Sequence, residues 1–81
     1  MRLDKYLKIA RLIKRRTVAN EACDSQRVVV NGREAKASYQ VKTGDIIEIT
    51  MGTRTVRVKV LAVPEHAGKQ EAPLLYSEIS E

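Results

Sequence analysis

Apolar residues near the start of the chain recur in steps of three and four. Leu3, Tyr6, Leu7, Ala10 and Ile13 follow that spacing. It puts them on one side of a helix and predicts an amphipathic helix over residues 3–13. Lys5, Lys8, Arg11 and Arg15 recur at similar steps on the opposite side, with Leu12 falling nearer the basic face. Thr17 suits the N-cap of a second, shorter helix. Ala19, Ala22 and Cys23 would be its buried side, and such small residues let two helices approach closely.

From Val28 the pattern changes. "VVVNGREAKAS" reads as strand, tight turn, strand, because Asn31 and Gly32 both tolerate positive φ. "KTGD" at residues 42–45 predicts a second turn. Residues 46–50 form a strand with Ile47 and Ile49 on one face. Gly52 sits in a further connection between Met51 and Arg54. Over residues 55–63, Val56, Val58 and Val60 alternate with Arg57 and Lys59, and Pro64 ends the strand. "PEHAGKQEAP" has no periodicity and reads as a linker. "LLYSEIS" is a short apolar element able to dock on the body. The expected fold is α+β, with two N-terminal helices packed on one side of a small antiparallel sheet. The domain spans residues 1–63, and 64–81 are linker and short acidic tail.

Composition narrows the core. Trp and Phe are absent from the 81 residues, so an aliphatic interior must hold one small domain near the lower size limit for independent stability. Cys23 is the single cysteine. It can form no internal disulfide and no cysteine cluster for zinc, and it fits a reducing, cytoplasmic setting. Lys5, Lys8 and Arg11 interrupt what would be the apolar core of a signal peptide. No uninterrupted apolar run approaches the ~20 residues that span a bilayer.

Charge changes the picture most. Net charge is +5, and it is concentrated at the N-terminus. "RLIKRRT" holds Arg11, Lys14, Arg15 and Arg16 within six residues, and no acid occurs from Lys5 to Arg16. A solvated helix face normally mixes signs, since opposite charges four residues apart stabilise it. A face without carboxylates suits phosphates, which Arg meets with a planar fork and Lys with a mobile point charge. Asp4 lies in the first helical turn, where it either complements the helix dipole or orients Arg2 or another basic neighbour. Asn31-Gly32 is first a turn; its amides, with Arg33 and Lys36 nearby, are also able to meet a phosphate.

Enzymatic chemistry has no residues to rest on. His66 has no second ligand at metal spacing and no partner to make it a general base. Cys23 falls on a buried face, so it reads as packing. The serines lack a base in pattern, and no phosphate-binding glycine motif is present. No metal or cofactor is expected. A peripheral membrane role for the first helix is the other class compatible with its amphipathicity, but that helix lacks aromatic anchors and its apolar face is needed by the core.

Four fragments in order, "RLDKYL", "KRRTVA", "VVVNG" and "GDIIEI", resemble the S4-type RNA-binding domain, and the likeness covers residues 1–49. That resemblance implies two helices against a small curved sheet. It also implies RNA contacts at Arg2, Lys5, Arg15, Arg16 and Thr17, with Lys8, Arg11 and Lys14 beside them. Asn31, Gly32 and Lys36 would lie near the same surface. "MRLDKYLK", "RLIKRRT" and "NGREAKAS" are similar to the short members that act in bacterial ribosome-associated quality control, and 81 residues leave no room for the catalytic domains of larger members. The resemblance implies a monomer that binds large-subunit rRNA and peptidyl-tRNA on obstructed large subunits. It would steady the tRNA in the P position while the factor RqcH supports C-terminal alanine tailing. Heat-shock members of the family, with a longer basic extension, instead recycle such subunits. The acidic tail here favours the first role.

Overall fold

A computed structural model describes residues 1–63 and 75–79. The chain runs α1 (Leu3–Ile9), α2 (Arg16–Asp24), β1 (Val28–Val30), β2 (Arg33–Glu34), β3 (Ile46–Met51), β4 (Arg54–Val60) and β5 (Tyr76–Glu78). The strands form one antiparallel sheet in the order β2-β1-β3-β4-β5. The α+β architecture follows from the two periodicities. Residues opposite one another across the ladder share a face, so Val28, Val30, Ile47, Ile49, Val58 and Val60 form one apolar layer. All six are buried and share one core with Leu3, Tyr6, Leu7, Ala19, Ala22 and Cys23 from the helices, among others.

The first helix is shorter than its periodicity predicts. It stops at Ile9 because Arg11 takes a left-handed conformation, φ 61°. The Arg11 N–H donates to the Lys8 carbonyl and the Leu12 N–H to the Leu7 carbonyl, the Schellman arrangement that ends many helices. Ile13 is nevertheless buried, because the turn folds it back onto the core. Helix α2 ends the same way: Gln26 has φ 64°, its N–H donates to Cys23 and that of Arg27 to Ala22. Thr17 is not an N-cap. Helix α2 begins at Arg16, two residues earlier than a Thr17 cap implies, with Arg15 in the cap position and no side-chain cap bond.

The Asn31-Gly32 turn has the expected positive φ at both residues, 54° and 82°. Asn31 is exposed, yet its side chain is tied to the next turn: its Nδ2 donates to Asp45 Oδ1 (3.0 Å) and its Oδ1 accepts the Ile46 N–H (2.9 Å). Asp45 also accepts from the Tyr39 hydroxyl (2.9 Å) and the Lys42 N–H (2.9 Å). One buried carboxylate thus ties both turns at this end of the sheet together.

Residues 64–74 and 80–81, which include the linker, His66 and Leu74, lie outside the described residues. Further along, Leu75 is buried and β5 pairs with β4. The Tyr6 hydroxyl donates to the Leu75 carbonyl at 2.6 Å, and burial pushes the Tyr6 pKa up to about 12. The end of the chain therefore closes one edge of the sheet and part of the core beneath α1.

Candidate nucleic-acid interface

The start of α1 is held by backbone carbonyls from the segment after β2. The Leu3 N–H donates to Tyr39 (2.8 Å) and the Asp4 N–H to Ala37 (3.3 Å). This brings the chain beside Lys36 past the start of α1, with the Lys36 side chain exposed. The next orphan donor of the helix, the Lys5 N–H, is taken by the Asp4 side chain at 2.8 Å.

Asp4 does more than cap. It is 2% exposed and also accepts from Arg2 Nε (3.2 Å), Arg2 Nη2 (3.4 Å), Arg16 Nε (3.3 Å) and Asn20 Nδ2 (3.4 Å). Burial alone would raise its pKa and is the largest influence. The opposing bonds from Asn20, the Lys5 N–H and Arg16, with the Arg16 charge, outweigh it and hold the carboxyl below its ordinary value. Both arginine side chains remain about half exposed, 46% and 47%. Each uses Nε on Asp4, and Arg16 keeps both terminal nitrogens for another acceptor. A buried carboxylate thus fixes two guanidinium forks at the surface, as bidentate phosphate recognition requires.

Sequence reasoning anticipated an orienting role for Asp4 as one of two alternatives; the structure supports both at once. Asn20 was missed. It stands four residues after Arg16 on α2, so helical spacing from a candidate arginine was the available signal.

The remaining cations fall into a second group. Lys8, Arg11 and Lys14, with Ile13, line a concavity of 430 Å³. No described carboxylate forms an ion pair with any of the three. Lys14, Arg15 and Arg16 lead into the N-terminus of α2, whose first turn carries no acid, so the positive end of the helix dipole adds to their field. Lys5 is half-buried, while Arg15 and Thr17 are exposed beside the cluster. Asn31 differs from the rest: its side chain is consumed by Asp45 and Ile46, which leaves this hairpin its Gly32 backbone and neighbouring side chains for any contact.

Cys23 is buried, and its thiol is pushed up to about 11 by that burial and by the charges of Asp4 and Asp24, so it is inert. Among the described residues there is no cluster of His, Cys, Asp and Glu able to hold a metal, and no helix is long and apolar enough to cross a membrane.

Comparison with known proteins identifies the family and the fold. Residues 1–47 match the S4 domain family. The chain is 49% identical over 81 residues to a Streptococcus pneumoniae protein named RQC P-site tRNA stabilizing factor, covering 100% of this chain and 92% of that one. It is 51% identical over 76 residues to the protein of the same name in Halalkalibacterium halodurans, with 94% and 86% covered. The structure titled as the trimeric structure of Vibrio cholerae heat shock protein 15 superimposes with a TM-score of 0.89 at 32% identity, covering 99% of this chain and 82% of that one. The chain belongs to the S4 domain family and, within it, to the branch formed by those near-full-length relatives.

Proposed function

We propose that this protein is a non-catalytic RNA-binding factor of bacterial ribosome-associated quality control. It binds large-subunit rRNA and peptidyl-tRNA on obstructed large subunits in the cytoplasm. There it holds the P-position tRNA while stalled nascent chains receive C-terminal alanine tails with the partner factor RqcH. The observation that carries this reading is the Asp4 cluster, which presents two oriented arginines beside a further group of cations that pair with no carboxylate among the described residues. Such a surface suits a clamp between two phosphate backbones and performs no chemistry. Identity near 50% to proteins named as P-site tRNA stabilising factors supports the particular setting.

The test is sedimentation of tagged protein from lysate, with sequencing of RNA in its fractions. Travel with free large subunits that still carry tRNA is the expected result, together with loss of alanine tails when the gene is deleted. A protein that stays at the top of the gradient contradicts the proposal. Structural likeness to heat shock protein 15 favours one second reading, in which the protein recycles large subunits carrying nascent chain-tRNA. Tails that persist in the deletion strain would select it.

A further inference from the structure

A second concavity adjoins the one formed by Lys8, Arg11 and Lys14. It measures 560 Å³, and Ile13 and Lys14 line both. Its character is different. Leu12, Val18 and Met51 give it an apolar wall, and Val18 and Met51 are 48% and 45% exposed. Arg15 and Arg27 stand at its rim with Glu21. A cationic hollow and an apolar groove thus stand side by side, with Ile13 and Lys14 common to both linings.

Resting on the RNA-binding reading above, we propose that the two hollows together form a site for a single unstacked nucleotide of the bound RNA. The phosphate sits among Lys8, Arg11 and Lys14. The base lies in the groove, against Met51 and the aliphatic wall. The chemistry fits part by part. Three cations that pair with no carboxylate among the described residues keep their charge for an arriving phosphate, and they release counterions. A thioether packs well on an aromatic ring, and Arg15 and Arg27 offer guanidinium planes of the kind on which splayed bases stack. Glu21 supplies an acceptor for an exocyclic amine, as carboxylates do for cytosine. A purely solvated surface would explain the lysines but not two exposed aliphatic side chains between arginines. A protein segment is the alternative occupant. The neighbouring cationic hollow favours the nucleotide, because an RNA strand would occupy both spaces with one continuous ligand.

Arg11 bears on the phosphate half. The left-handed position after a helix favours Gly, yet an arginine occupies it here. Gln26 occupies the equivalent position after α2, so the backbone alone is not diagnostic, but the pair supplies a matched control. Glycine at either position relieves the same conformational cost. Only at Arg11 does it also remove a phosphate ligand.

The test uses the full chain in fluorescence-anisotropy titrations with two RNA hairpins, one carrying a single bulged cytidine and one fully paired. The wild type is expected to prefer the bulged hairpin about tenfold, the range of one stacked base. Val18→Ser with Met51→Ser should abolish the preference and leave the salt slope unchanged, since both residues are exposed and uncharged. Arg11→Gly should lower affinity for both hairpins and reduce the salt slope by about one, with a melting temperature equal to or above wild type. Gln26→Gly should share the melting behaviour and bind like wild type. Equal wild-type affinity for the two hairpins overturns the nucleotide site while leaving RNA binding intact. So does a double variant that keeps the preference, or one that binds both hairpins normally but loses whole large subunits, which would assign the groove to a protein. Failure to bind either hairpin would overturn the RNA reading itself.

Discussion

Replacing Asp4 by Asn sets two effects of opposite sign against each other. Removing the carboxylate takes away a negative charge near the RNA surface, which by itself strengthens phosphate binding. A unit charge about 7 Å from a phosphate costs about 0.6 kcal/mol in water, and screening at physiological salt reduces that by about half. Against this, Arg2 and Arg16 lose the acceptor that fixes them. Ordering a long side chain on binding costs about 0.5–1.5 kcal/mol. Because both arginines are about half exposed already, the lower part of that range applies, or about 1–2 kcal/mol for the pair. Orientation therefore outweighs repulsion by about 0.7–1.7 kcal/mol, and Asp4→Asn should weaken RNA binding about three- to twentyfold.

The substitution also costs stability. The Asn oxygen can still accept the Lys5 N–H, the shortest bond at 2.8 Å. The amide NH₂ then faces donors from Arg16 or Asn20, so those contacts are lost. They are long, at 3.3 and 3.4 Å, and one partner is half in solvent, so about 1–2 kcal/mol is at stake. For a domain of this size that lowers Tm by about 5–15 °C. Binding is therefore measured well below the variant's melting transition, by anisotropy on an RNA that wild type binds, with circular dichroism confirming the fold. A folded Asp4→Asn protein that binds as tightly as wild type, or more tightly, would refute the orienting role and leave Asp4 a helix-terminal charge.

Other expectations follow from the same contacts. Arg16→Ala should reduce the slope of log affinity against log salt by about one; an unchanged slope would make Arg16 a solvated residue. Asp4 and Asp45 both have folded-state pKa values below their ordinary ones; for Asp45 burial, the largest influence, opposes this and is outweighed by the Lys42 N–H, Asn31 and Tyr39. The unfolded chain then takes up protons first, so stability is full above about pH 4 and falls as pH drops through the folded values. Thermal melts from pH 7 to pH 2.5 should show this loss, with a shallower acid limb in Asp45→Asn. Leu75→Ala should cost about 2–4 kcal/mol, because Leu75 is a buried core residue; a loss below about 0.5 kcal/mol in chemical denaturation would mean that the end of the chain contributes little to the core.

How much of this was legible in the sequence depends on how far each cause reaches along the chain. The alternation at Val56, Val58 and Val60 and the Asn31-Gly32 turn are local signals, and both translate directly into β4 and a positive-φ hairpin. Periodicity does not reveal the end of α1, because Ile13 keeps the helical spacing while lying beyond the helix. The residue that breaks the helix is an arginine, which carries none of the signal a glycine would. The tie made by Asn31 depends on Asp45, fourteen residues away, and turn propensity says nothing about such a partner. The basic surface shows the same division. Its charge is visible in "RLIKRRT", but its separation into an oriented pair and a cationic hollow is not. That separation needs Arg16 to reach Asp4 across twelve residues, and the connection that passes through the left-handed Arg11 sets α2 beside α1 for it to do so. The conformation that hid the helix boundary from the periodicity thus also brings the oriented arginines together, and Arg11→Gly, which preserves that turn, should leave the Asp4 cluster intact.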